Sequence, residues 1–176
     1  MNYAQIRTMD ISDGPGIRIG IYVQGCDHHC EGCYNYTTWN YNGGNNWTDE
    51  THKRIIENLN PSYINGLSLL GGDPLCCYIR EPDIILDLVK DVKLRFPAKT
   101  IWLWTGYTFE EIYNFTNKKS TKLQRIIRPL LDYIDVIVDG RYDKLLRVNG
   151  VYYGSSNQRV IDVTNSIKNN FITTIE

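Results

Sequence analysis

Three thiols, Cys26, Cys30 and Cys33, stand close together in the stretch VQGCDHHCEGCYN. Cysteines at such spacing bind metal, and two chemistries fit. A structural zinc site takes four ligands, so zinc needs a fourth from His28, His29 or the more distant His52. Both nearby histidines lie inside the C-x3-C loop, where chelation is cramped, and His52 falls on a predicted helix. An iron–sulfur cluster is the other reading, because thiolates are its usual protein ligands. A 4Fe-4S cube held by three cysteines keeps one iron open to a small molecule, as catalytic metal sites keep an open position.

A second segment, Gly71-Gly72-Asp73-Pro74, ends a predicted strand. Glycines let backbone approach a ligand closely, and a carboxylate with backbone carbonyls accepts hydrogen bonds from an ammonium. The same residue types also make an ordinary β-turn.

The elements that must position these segments alternate. Ile17 to Val23, Gly66 to Leu70, Thr100 to Trp104, Tyr133 to Gly140 and Arg159 to Val163 read as strands. A helix is expected from about Asp49. Another is marked by Ile84, Ile85, Leu88, Val89 and Val92, with Pro82 in its first turn and Pro97 beyond its end. Thr108 and Glu111 fit a capping box that opens a helix through about Phe115, and a further helix covers roughly Lys122 to Leu131. Asn40 to Trp47 reads as a loop. This alternation implies an α/β fold with a mainly parallel sheet. A full eight-fold barrel takes about 250 residues, so 176 residues suit an open partial (β/α) barrel. Four segments each follow a strand directly: the cysteine loop, GGDP, Thr105-Gly106-Tyr107 and Asp139-Gly140. The carboxyl ends of parallel strands form the active face of such folds, so the four are expected on one rim.

The bulk numbers narrow the function. Hydrophobic residues make up 42% of the chain and its formal net charge is −1. With no basic run, nucleic acid is not an expected partner. No apolar run approaches the roughly 20 residues of a membrane helix, and the N-terminus lacks a signal-peptide core. A cytoplasmic protein is expected. Five cysteines then point to metal or redox chemistry, not to a disulfide framework.

Cys26-x3-Cys30-x2-Cys33 followed by Tyr34 resembles the signature of the radical S-adenosylmethionine (SAM) enzymes, and GGDP resembles their Gly-Gly-Glu-Pro segment. DGPGIR (Asp13 to Arg18) resembles the activating enzymes of glycyl radical enzymes. GCYN, TTW, WTGY, VDGRY and GSSNQR together resemble the activating proteins of anaerobic (class III) ribonucleoside-triphosphate reductases. The resemblance spans nearly the whole chain, read as one radical SAM domain over 1–176 with a core of about 14–163 and a C-terminal extension. It implies a 4Fe-4S cluster on Cys26, Cys30 and Cys33, with SAM on the open iron. It also implies SAM contacts from Gly32, Cys33, Tyr34, Gly71, Gly72 and Asp73, with Thr105 either joining them or capping a strand. The implied reaction passes one electron into SAM, giving methionine and a 5′-deoxyadenosyl radical that takes a hydrogen atom from a glycine of the reductase. The implied partners are the large catalytic subunit of that reductase, through its glycyl radical loop, and a small reducing protein such as a flavodoxin as electron donor.

Other residues are assigned more modestly. Asn35 belongs to the same SAM-facing loop. Asp139 and Arg141 either face the site or form a surface ion pair. His28 and His29 are expected to face solvent, and Cys76 and Cys77 to be ordinary thiols away from the cluster. Tyr153, Cys76, Cys77 and the tail TNSIKNNFITTIE depart from the family pattern. The rivals are activation of a formate-lyase-type glycyl radical enzyme and a non-catalytic zinc-binding interaction module.

Overall fold

The computed structural model of the chain describes residues 1–116, 119–149 and 152–175. Among them, seven strands form one mixed sheet: β1 (Asn2–Asp10), β2 (Ile17–Gln24), β3 (Asn45–Asn46), β4 (Ile64–Gly71), β5 (Thr100–Trp104), β6 (Val136–Asp139) and β7 (Arg159–Asp162). The order is β3-β1-β2-β4-β5-β6-β7. The four central strands, β2, β4, β5 and β6, are parallel, while β1 with β3 on one side and β7 on the other pair antiparallel. The expected α/β class and parallel centre are present.

Residues two apart on a strand share a face, and the sheet obeys this closely. Ile19, Ile21 and Val23 of β2, Leu67 and Leu69 of β4, Ile101 and Leu103 of β5 and Ile137 of β6 enter one core. Against them pack Ile55 and Leu59 of α1 (Asp49–Leu59), Leu75 of α2 (Pro74–Arg80) and Ile85, Leu88 and Val92 of α3 (Pro82–Arg95). Phe109 and Ile112 of α4 (Phe109–Ile112) and Ile127 and Leu130 of α5 (Lys122–Leu131) complete that layer. Each such side chain contributes roughly 1.5–3 kcal/mol on burial. The intervening strand residues, Arg18, Ser68, Trp102 and Val138, point to the other face.

Local signals set the helix starts. Thr108 and Glu111 form the predicted capping box, and Thr121 with Gln124 forms a second at α5. The helix after Thr108 stops at Ile112, short of the expected Phe115. β1 and α2 were not foreseen, and the stretch Asn40 to Trp47, expected as a loop, contains the short strand β3, which pairs with Asn2 and Tyr3 of β1. β1 carries alternating polar residues and leaves much of its length exposed. Asp73-Pro74 reads as a turn, yet Asp73 caps α2 and Pro74 opens it. The tail is folded back: α6 (Val163–Asn169) follows β7 directly, and Thr174 bridges to Ile161.

Candidate functional site

A cleft of about 290 Å³ lies at the carboxyl ends of the central strands. Cys26, Cys30, Cys33 and Tyr34 after β2, Gly71 to Asp73 at the end of β4, Thr105 after β5 and Gly140 after β6 all line it. The convergence expected of the four strand-end segments is therefore observed, with Asn35 among the lining residues as well.

The cysteine loop is anchored through its backbone. Gly25 donates to the Thr38 carbonyl at 2.7 Å and Cys26 to that of Trp39 at 3.2 Å, while Cys33 N closes a turn on Cys30 O at 3.1 Å. Cys26 is buried, and Cys30 and Cys33 are half-buried. A hydrogen bond from the Cys76 thiol holds Cys26 well below the usual thiol range, against the effect of burial. Burial pushes Cys30 the other way. Among the described residues, the one His/Cys/Asp/Glu set with ligand atoms all within 4.8 Å is His28, Asp73 and Cys76. Cys26, Cys30 and Cys33 are spread more widely around the cleft.

Asp73 is the knot of the site. Its residue is 1% exposed, and five groups donate to its carboxylate. These are Leu75 N (2.8 Å), Cys76 N (3.1 Å), Thr105 Oγ1 (2.9 Å), Gly106 N (2.8 Å) and His28 Nε2 (2.9 Å). The Thr105 hydroxyl thus serves Asp73, and accepts from Tyr107 N at 3.2 Å. Backbone joins the two loops as well, through Gly72 N to Val23 O at 2.9 Å and Asp73 N to Gly25 O at 2.7 Å. The glycines permit this approach. Gly71 has φ +104, and a Cβ there would stand 2.7 Å from Tyr22 Cα; one on Gly72 would stand 2.3 Å from Gly25 O.

His28 corrects the expectation of a solvent-facing side chain. Its ring turns inward to Asp73, lies edge-on to Tyr107 at 4.7 Å, and places Nε2 3.9 Å from Cys76 Sγ. Burial opposes its charged form, but the Asp73 carboxylate outweighs this and raises its pKa. Cys76 is corrected in the same way, because α2 carries it against Cys26 and His28. Cys77 donates instead to Gln24 O at 3.4 Å. His29 is exposed as expected and stacks on Trp39. His52 pairs with Asp91 at 3.2 Å on α1 and α3, outside the cleft lining.

Gly32 is not among the lining residues; it sits against Lys144. Tyr34 is 54% exposed and meets Tyr142 edge-on. Buried Asp139 pairs with half-exposed Arg159 and accepts from Phe109 N at 2.7 Å, whereas Arg141 faces Glu111 at the surface.

Sequence reasoning passed over Asp13 as a cleft residue. Tyr22 donates to it at 2.5 Å. Burial is the main cause of its pKa rising to about 6, with Asp10 adding to the effect. DGPGIR carried the signal, since Gly14 and Arg18 of the same motif pack together.

Comparison with known proteins gives this geometry a family. Residues 12–161 match the family model described as a 4Fe-4S single cluster domain. Proteins named anaerobic ribonucleoside-triphosphate reductase-activating protein are close relatives. The one from Enterobacteria phage T4 is 44% identical over 95% of this chain and 97% of its own length. That of Vibrio cholerae is 40% identical over 90% and 96%, and that of Escherichia coli K12 is 39% identical over 91% and 97%. The cysteine loop and the strand-end segments facing it lie within the matched region, and the chain belongs to the family of anaerobic ribonucleoside-triphosphate reductase-activating proteins.

Proposed function

We propose that the protein is a radical SAM activating enzyme that generates the glycyl radical on an anaerobic ribonucleoside-triphosphate reductase. One observation carries this reading: Cys26, Cys30 and Cys33 share a cleft with the GGDP segment, yet are not gathered tightly enough for one ion. Three thiolates at that spread suit the corners of a cluster better than a mononuclear zinc ion. Of the three candidates for a fourth zinc ligand, His28 and His52 are engaged with Asp73 and Asp91, and exposed His29 stacks on Trp39.

In this reading Cys26, Cys30 and Cys33 would hold a 4Fe-4S cluster, leaving one iron for SAM. When bound, the two supply one-electron cleavage of the sulfonium bond and hydrogen-atom abstraction from glycine. The chain supplies position. Gly71 and Gly72 present backbone to the SAM amino acid moiety, and Asp73 with Thr105 and His28 fixes that backbone. Tyr34, with Asn35 in the same loop, borders the nucleoside end.

The linear strand order, with helices packed on one face, supports a single domain of open partial-barrel type with its cleft open to a partner. The open side of the cleft is where the glycine loop of the reductase would enter. A flavodoxin-type protein is the proposed electron donor.

Anaerobic reconstitution followed by iron and acid-labile sulfide analysis tests the site. Iron and sulfide in equal amounts, with SAM cleavage on reduction, is expected. A colourless protein with stoichiometric zinc contradicts the proposal.

A further inference from the structure

The segments VDGRY and GSSNQR meet at the end of β6, residue for residue. The β6–β7 ladder stops where Asp139 pairs with Arg159, and side chains carry the same register onward. Arg159 Nε donates to Asp139 Oδ1 at 3.0 Å, Gln158 Nε2 to Gly140 O at 2.8 Å and Asn157 Nδ2 to Arg141 O at 2.9 Å. Gly140, at φ +98, turns the chain out of the strand at this point. The Gln158 amide is also used from its other end. Its Oε1 accepts from Gly154 N at 2.9 Å and Ser155 N at 3.1 Å. One side chain therefore ties Gly140 to Gly154, and all three residues line the cleft.

The tie has a place in the proposed chemistry. The SAM amino acid moiety is assigned to Gly71 and Gly72 at the end of β4. β6 lies two strands further along the sheet, about 10 Å away, where the rest of the molecule must go. Tyr34 and Tyr142 stand there: a Cβ on Gly154 would lie 3.1 Å from the Tyr142 ring and 3.7 Å from the Tyr34 ring. Bare glycine backbone beside aromatic rings suits a flat base, which stacks on such rings.

We propose that Gln158, supported by Asn157, is a positioning residue that sets the nucleoside subsite for SAM by tying Gly140 to Gly154. The inference rests on the radical SAM reading of the site and deepens it. Gln158 acts through the two glycines, so its loss affects the nucleoside end and leaves the cysteine loop and GGDP in place.

The test is isothermal titration of SAM, and separately of methionine, into reconstituted protein with its cluster oxidised, so that SAM stays uncleaved. Gln158→Glu keeps an acceptor for Gly154 N and Ser155 N but sets an oxygen against Gly140 O. It is expected to weaken SAM binding about tenfold and to leave methionine, which has no nucleoside, unchanged. Asn157→Ala removes one exposed hydrogen bond and is expected to give a smaller loss of the same kind. Unchanged SAM affinity in both variants overturns the inference, as does an equal loss for SAM and methionine, which marks a merely structural role. A wild type that carries the cluster but binds no SAM overturns the radical SAM reading itself, and the inference with it.

Discussion

His28 Nε2 donates to Asp73 Oδ2 at 2.9 Å, and the two side chains are 6% and 2% exposed. The contact ties the middle of the cysteine loop to the start of α2, across 45 residues of sequence. A carboxylate on a short side chain suits the place. It caps the helix through Leu75 N and Cys76 N and still reaches His28, Thr105 and Gly106.

Asp73→Asn tests that role. One acceptor oxygen becomes an NH2 group facing N–H donors, leaving buried groups unpaired. The expected cost is about 2–4 kcal/mol, read as a lower urea midpoint. An unchanged midpoint would show that the five contacts do not act together.

Arg18 is expected to behave similarly from the opposite face. It is 0% exposed and donates to Ser68 Oγ (2.7 Å), Thr100 Oγ1 (3.0 Å), Leu67 O (2.7 Å) and Thr100 O (2.9 Å). Arg18→Met strands these acceptors and is expected to cost about 2–4 kcal/mol. Arg18→Lys recovers little, since one ammonium does not reproduce the planar fork. Thermal melting of both variants checks this; a lysine variant as stable as wild type refutes it.

These two residues also show what was readable in the sequence. The central strands and α3 were legible because periodicity and β-branched content are local. The convergence of four segments was legible because topology places strand ends together. The burial of His28 was not, because its partners Asp73, Cys76 and Tyr107 come from other elements. The role of Arg18 was not legible either, because its acceptors come from β4 and β5. α2 was hidden by turn chemistry, although Asp-Pro is also a helix-opening pair.

Asp13 gives a pH dependence before cluster reconstitution. Burial raises its pKa to about 6, from 3.8. Between those values the folded state binds more protons than the unfolded one, so stability falls as pH rises from about 4 to about 6. Asp10, whose pKa is lowered, acts below that window. His28, whose pKa is raised, contributes stability that is complete below about 6.5 and lost at higher pH. Urea midpoints between about pH 4 and 6 are expected to lose this lower segment of the fall in Asp13→Asn; above it His28, whose pKa is raised, and Cys26, whose pKa is lowered, act with opposite sign. A lower segment that persists in Asp13→Asn contradicts the assignment.

The most direct test of the central claim is electron paramagnetic resonance of the anaerobic ribonucleoside-triphosphate reductase after incubation with the reduced, reconstituted protein and SAM. The proposal predicts a glycyl-type doublet that is absent when Cys26, Cys30 or Cys33 is replaced by Ala. A doublet that survives all three replacements, or SAM cleavage by the wild type with no doublet on the reductase, would contradict it.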